Sequence, residues 1–218
     1  MIYQEKFLRN PLTAEQQERI REIPIAIVGL GGTGGFALEN LVRLGAENLI
    51  VFDHDRFEFS NFNRQLLATD ASLDMKKTKA AQQRARSINK NVKIRAYSRF
   101  TDLKTARIAI DGTDDVETKI QIAEQARKKK IPFIFSSASS SRCMVTVFTN
   151  YKFEKAFQIN QDLDYRKCPS ILAPAAAMAG SLAASQALNY ILGKPYAKAP
   201  EALFFDIFKN RFWRAELG

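Results

Sequence analysis

The sequence predicts an α/β fold built on a doubly wound, mostly parallel sheet with antiparallel strands at its C-terminal end. Three observations predict it. Short apolar runs alternate with amphipathic stretches from residue 25 to 136, a glycine-rich turn joins the first strand to the first long helix, and two aromatic runs close the chain around a polar pair. With 218 residues, 46% of them hydrophobic, the chain can bury a full core, and one domain spanning 1–218 is expected. Its parts are an N-terminal arm and helix over 1–24, a βαβ part over 25–136, and C-terminal strands with an Ala-rich helix over 137–218.

Thr13 and Gln16 form the pattern of a capping box that opens a short helix, and Pro24 ends it before an apolar strand over 25–30. The glycines of 29–35 lead into an amphipathic helix running to about Leu44, which Gly45 terminates, and 48–53 is the next strand. A polar loop fills 54–72. A helix over 76–89, strands over 92–97 and 107–111, a helix over 116–130 and a strand over 132–136 continue the alternation. Beyond it come a strand over 144–149, an irregular stretch over 150–167, the Ala-rich helix, and strands over 203–208 and 212–217 joined as a hairpin through Lys209 and Asn210.

The formal charge of +10 points to anionic partners or substrates: nucleotide phosphates, an acidic protein surface or nucleic acid. Charge does not choose among them. Two cysteines, Cys143 and Cys168, make neither a C-x-x-C pair nor a secreted framework, so a reducing, cytoplasmic setting is expected and a cysteine-ligated zinc site is not. The first residues lack the basic and apolar regions of a signal peptide. Residues 171–192 carry no charge and have the length of a membrane span, but Ala, Ser and Gly dominate them, and small residues gain little on transfer to lipid. A buried, close-packing helix is the reading, and no membrane is expected.

The first chemical constellation is Gly29-Leu30-Gly31-Gly32-Thr33-Gly34, between strand and helix, where absent side chains let backbone amides approach a phosphate at the helix N-terminus. Asp53 ends the second strand, where a carboxylate can accept from ribose hydroxyls of either NAD or ATP. The second constellation is Asp53-His54-Asp55, then Ser60-Asn61-Phe62-Asn63-Arg64-Gln65, then Lys77, then Asp111-Gly112-Thr113-Asp114-Asp115. If Asn61, Arg64 and Gln65 begin a helical turn, their i, i+3, i+4 spacing points a guanidinium and two amides the same way.

These segments, in this order, resemble the ThiF/MoeB/HesA superfamily, the adenylation domain of ubiquitin-activating-enzyme-like proteins; the resemblance runs from about Tyr3 to the C-terminus. It implies a Rossmann-like ATP-dependent adenylyltransferase that activates the C-terminal carboxylate of a ubiquitin-like or sulfur-carrier protein ending in Gly-Gly. Two anions meet in that reaction, so the site needs cations and preorganised donors more than a base. By resemblance, Gly31, Gly32, Gly34, Asp53, Asn61 and Gln65 belong to the ATP site, Arg64 and Lys77 contact phosphates, and Asp114 holds Mg²⁺. Asp114 is also suited to capping the helix that follows it. Arg9 stands where many relatives send an arginine into the other subunit's ATP site, which implies a homodimer. Cys168, ahead of Pro169 and beside Arg166 and Lys167, stands where some relatives form a thioester; a packed cysteine is the alternative.

The chain departs from the pattern in three places. It lacks the two C-x-x-C pairs of many relatives, so no structural zinc is expected, and Lys76 replaces a common Pro, leaving open whether Lys76 or Lys77 faces ATP. The segment that crosses over the acceptor tail is short. Two further readings stay inside the superfamily: adenylation on tRNA, as in threonylcarbamoyl-adenosine dehydratases, and a catalytically silent half of a heterodimer. An NAD-dependent oxidoreductase is the reading outside it.

Overall fold

A computed structural model describes residues 2–158 and 170–218. An arm formed by α1 (Ile2–Phe7) and α2 (Ala14–Glu22) leads into β1 (Ile25–Val28), α3 (Gly32–Arg43) and β2 (Asn48–Phe52). After a long loop come α4 (Lys77–Ile88), β3 (Lys93–Tyr97), β4 (Ile108–Asp111), α5 (Val116–Lys129), β5 (Phe133–Ser139) and β6 (Arg142–Phe148). The short α6 (Phe153–Ala156), the long α7 (Ala173–Leu192), β7 (Glu201–Asp206) and β8 (Arg211–Glu216) complete the chain.

The eight strands among the described residues share one sheet, in the order β3-β2-β1-β4-β5-β6-β7-β8. The first five positions are parallel, with Ile25 opposite Leu49 on one side and Ile108 on the other. The last three pairings are antiparallel, as the sequence predicts for the C-terminal end. The parallel strands are added outward from β1 in one direction up to β3 and in the other from β4 onward, so the order switches between β1 and β4, and the crevice beyond the carboxyl ends of strands at such a switch is where α/β sheets bind ligands.

The sheet is covered on both sides, so its central strands are buried on alternate faces. Ile25 and Ile27 of β1 join a core with α3, α4 and α7, whereas Ala26 and Val28 face a second core with α5 and α6. The Ala-rich run is a packed helix: Ala176, Ala179, Ala183 and Ala187 are buried. Small residues are needed there because a Cβ at Gly180 would lie 2.4 Å from the Thr33 carbonyl oxygen of α3. Among the described residues, no helix is long and apolar enough to cross a membrane.

Boundaries differ from expectation where side chains take over the backbone's hydrogen bonding. The Thr13 capping box forms with both of its bonds. The strand expected to end at Ser136 instead runs on as β5 to Ser139 and turns directly into β6, with Ser139 opposite Arg142. Ser140 adopts a left-handed φ of 53° there, and its backbone bonds to Ser170 and Leu172 dock the hairpin against the start of α7. The last hairpin turns over 207–210 rather than two residues, because the buried Asp206 carboxylate accepts from the Phe208 and Lys209 amides and ends β7 early. Helix α1 and the short α6 went unanticipated; each is too brief to leave a periodic signal.

Candidate active site

The glycine turn and the turn after β4 meet at the sheet's switch point. A Cβ at Gly34 would fall 1.9 Å from the Gly29 oxygen, and one at Gly112 would fall 2.6 Å from that same atom. Only hydrogen at these positions lets the two turns touch, which packs the Asp111–Asp115 segment against the start of α3. Gly31 supplies the N-cap of α3 without a side chain, leaving the amides of the first helical turn directed outward.

The loop after β2 folds back over this turn. Arg64 and Gln65 both donate their amides to the Asn61 carbonyl, so the helical turn anticipated for these three residues forms. Gln65 is 7% exposed, and its Nε2 lies 3.7 Å from where a Cβ of Gly31 would be. Its Oε1 is buried with no hydrogen-bond partner among the described residues. A buried amide oxygen next to an open glycine cradle fits a ligand that brings its own donors. The stem of Arg64 passes beside Gly32, 3.7 Å from its Cβ position, and its Nη1 donates to the Ser60 carbonyl and to Asn63 Oδ1, both at 2.9 Å. Asn61 spends its side chain inside the loop, accepting from the Glu58 amide and donating to Ser60.

On the other flank, Asp53 accepts from the Leu30 amide at 2.7 Å and from the Asp55 amide at 2.8 Å. Asp55 then pairs with Lys77 Nζ at 2.9 Å. Bridges of Arg56 to Lys76 and of Phe57 to Leu73 zip the two ends of the loop together and carry Lys77 to this corner. Lys77 is only 5% exposed, with the Phe57 ring under its ammonium, while Lys76 points to solvent. The lysine turned toward the carboxylates is therefore Lys77. Burial pushes the Asp53 carboxyl above its ordinary value, against the pull of the Lys77 ammonium and the two amides.

That shift has a consequence for binding. If Asp53 takes the ribose, as the sequence leads one to expect, its protonation removes acceptor capacity toward the hydroxyls, and nucleotide affinity then falls as pH is lowered through a window above the ordinary aspartate value of 3.8. Titrating an ATP analogue across pH checks this. Asp53→Asn should bind weakly and show no such step; an unchanged step would assign it to another group.

The turn after β4 carries Asp114, exposed, while the side chain of Asp115 accepts from the Thr118 amide and caps α5. The capping role proposed for Asp114 as an alternative thus belongs to its neighbour. Among the described residues no cluster of three metal-ligating side chains occurs. Mg²⁺ does not need one, since it is usually held by one or two carboxylates, water and substrate phosphates. One exposed carboxylate on a turn that abuts the glycine turn fits that mode.

Between Arg64 and the start of α7 opens a cavity of about 400 Å³, lined also by Asn63, Ser140, Ile171 and Phe208. Arg9 lies elsewhere. Its neighbour Asn10 bonds to the Leu44 carbonyl at the C-terminal end of α3, and a helix of that length separates its two ends by roughly 18 Å at about 1.5 Å per residue. Within one protomer Arg9 is remote from the glycine turn. Cys143 is 3% exposed, and burial pushes its thiol up to about 11, which leaves it an inert packing residue. Cys168 lies outside the described residues. Lys119, which pairs at 2.7 Å with Asp111 beneath the Asp114 turn, was not singled out in the sequence. Lys119 precedes buried Ile122 and Ala123 by three and four residues, and that helical spacing is the signal that places it on the inner face.

Comparison with known proteins gives a consistent result. The model of the family described as "ThiF family" matches residues 3–218. The chain is 32% identical over 148 residues to the sulfur carrier protein ThiS adenylyltransferase of Bacillus subtilis, covering 64% of this chain and 44% of that relative. It is 25% identical over 227 residues to the molybdopterin-synthase adenylyltransferase of Escherichia coli, covering 99% of this chain and 91% of the relative. Among solved structures, E. coli MccB with ATP superposes with a TM-score of 0.80 at 16% identity, covering 93% of this chain and 66% of MccB. The chain thus spans under half the length of the Bacillus relative and about two thirds of MccB.

Proposed function

The chain belongs to the ThiF family, and from that membership we propose that it is an ATP-dependent adenylyltransferase acting on the C-terminal carboxylate of a small ubiquitin-like or sulfur-carrier protein. The observation that carries the reading is convergence. The glycine turn, the Arg64–Gln65 turn and the Asp53–Asp55–Lys77 chain all meet at the carboxyl end of β1, beside the turn that bears Asp114. The relatives named above are, by their names, adenylyltransferases of the sulfur carrier protein ThiS and of molybdopterin synthase.

In this reading the glycine amides and Gln65 cradle the nucleotide, and the Asp53 carboxylate accepts from the ribose. The acceptor carboxylate, entering by the cavity beside Arg64, attacks the α-phosphorus as the bond to the bridging oxygen breaks. An acyl-adenylate forms and pyrophosphate leaves. No proton has to move, because the nucleophile is already ionised. Arg64 and Lys77 hold the phosphate charge that builds on the leaving group. Mg²⁺, held through Asp114, would supply further charge neutralisation to the phosphates.

Arg9 is assigned to the neighbouring subunit's site in a homodimer, since its own lies at the far end of α3. Mixing Arg9→Ala and Lys77→Ala subunits, each inactive alone, should restore about a quarter of wild-type exchange, because half the dimers are mixed and each of those has one intact site. No restoration would remove Arg9 from the site. Cys168 is assigned to a later transfer, in which its thiolate attacks the acyl-adenylate to form a thioester as AMP leaves, or takes the outer sulfur of a separate persulfide donor as that donor's thiol leaves. Cys168→Ala should therefore leave pyrophosphate exchange at wild-type rate and abolish only the covalent product seen by intact mass; lost exchange would overturn this division of labour.

The reading is tested by pyrophosphate exchange into ATP with a co-purifying carrier ending in Gly-Gly, with tRNA, and with neither. Carrier-dependent exchange is expected. Exchange with tRNA alone would move the activity to RNA, and no exchange with any carboxylate would favour a silent subunit.

A further inference from the structure

We propose that Lys119 is a positioning residue that sets the direction of Asp114, and through it the metal affinity of the site. The proposal rests on the reading of Asp114 as the residue that holds Mg²⁺ with the nucleotide.

Asp111, at the end of β4, is fully buried, and both of its carboxylate oxygens are used. Oδ1 accepts from the Thr113 amide at 2.9 Å and from the Thr113 hydroxyl at 2.7 Å, and Oδ2 accepts from Lys119 Nζ at 2.7 Å. Lys119 Nζ also donates to the Thr113 carbonyl, which fixes the peptide plane between Thr113 and Asp114. The side chain of Lys119 is 12% exposed and its ammonium lies 5.4 Å from the centre of the Phe135 ring, so it is enclosed from both sides.

The turn is thereby held on both sides of Asp114. Its backbone is fixed at Gly112, whose amide donates to the Val28 carbonyl at 2.7 Å and whose α-carbon abuts Gly29 and Gly34. Past Asp114, Asp115 is committed to capping α5. Lys119 closes the span by tying the strand end and the Thr113 carbonyl to α5 in one contact. A buried ion pair adds little stability compared with well-packed apolar side chains. Its use here is geometric, since groups behind a ligating carboxylate orient it, and their loss typically lowers metal affinity about 10- to 100-fold.

The test uses Mn²⁺ as the probe, titrated by electron paramagnetic resonance in the presence of a non-hydrolysable ATP analogue. Lys119→Met should raise the Mn²⁺ dissociation constant about tenfold or more, leave the metal-free affinity for the analogue unchanged, and raise the Mg²⁺ concentration needed for exchange without changing the KM for the acceptor. Lys119→Arg should recover most of the loss, because a guanidinium can make both bonds. Leaving Asp111 buried without its partner can unfold the single variant, so Asp111→Asn/Lys119→Met, with no charge stranded, is measured beside it and should show the same metal defect at a near-native melting temperature. Wild-type Mn²⁺ affinity in the folded double variant would overturn the proposal. Asp114→Ala separates the two levels: if it too binds Mn²⁺ normally, the metal assignment itself fails, whereas loss in Asp114→Ala with none in the Lys119 variants sinks only this inference.

Discussion

Lys77→Ala is expected to slow pyrophosphate exchange by about 10³-fold, the scale on which losing a preorganised charge donor slows reactions whose transition state gathers charge. Lys77 is 5% exposed and held at 2.9 Å by Asp55, so its ammonium is fixed rather than recruited from solvent. A buried cation costs desolvation free energy and is retained where a negative partner arrives; Asp55, half in water, is a weak partner that a triphosphate can share or displace. Because Asp55 can be hydrated when left alone, the variant should fold, with a melting temperature within a few degrees of wild type. Lys76→Ala, removing an exposed lysine one residue earlier, is the matched control and should stay near wild type. If Lys76→Ala is the damaging change, the loop zipped by the Arg56 and Phe57 bridges does not place the lysines as described.

Arg64→Ala is expected to cost roughly 10²- to 10³-fold in exchange, with a smaller loss in nucleotide affinity. The guanidinium is held to Ser60 and Asn63 through one nitrogen, Nη1, while its stem lies beside Gly32 at the cradle. The rest of the fork remains for phosphate or for the acceptor carboxylate in the adjoining cavity. Arg64→Lys should recover little, since an ammonium cannot reproduce two parallel bonds from one plane. Kinetics of both variants with nucleotide and acceptor varied separately measure this. Full recovery by Lys would mean that net charge alone matters at this position.

Much of the site was legible in the residues because its parts are local. The strand-turn-helix context of Gly29 to Gly34 is written in an apolar run followed by glycines, and the i, i+3, i+4 set of Asn61, Arg64 and Gln65 needs only one helical turn, which forms. The parallel order of β1 to β5 follows from alternation of strands and helices, and the antiparallel end follows from aromatic strands too close for a crossover.

What stayed hidden depends on burial or on long-range contact. Lys76 and Lys77 are chemically alike in sequence, and only the loop's closure against Asp55 turns one inward. Asp114 and Asp115 both suit a helix cap, and the backbone of the Gly112 turn gives the cap to Asp115. Lys119 reads as one of many surface cations until α5 is laid on β4, where it meets Asp111. Ser136 to Ser139 has weak strand propensity, yet it is strand, paired with β6, and its turn at Ser140 is tied to Ser170 and Leu172. Arg9 sits beside Pro11 in a short arm, and its distance from the glycine turn appears only once Asn10 is tied to the far end of α3.

Crystallisation of the protein with a non-hydrolysable ATP analogue tests the central arrangement most directly. The account predicts the triphosphate over the amides of the glycine turn, with the Lys77 ammonium and the Arg64 guanidinium within hydrogen-bond reach of its oxygens and the ribose on Asp53. A nucleotide seated away from the switch point, or phosphates out of reach of both cations, would contradict it.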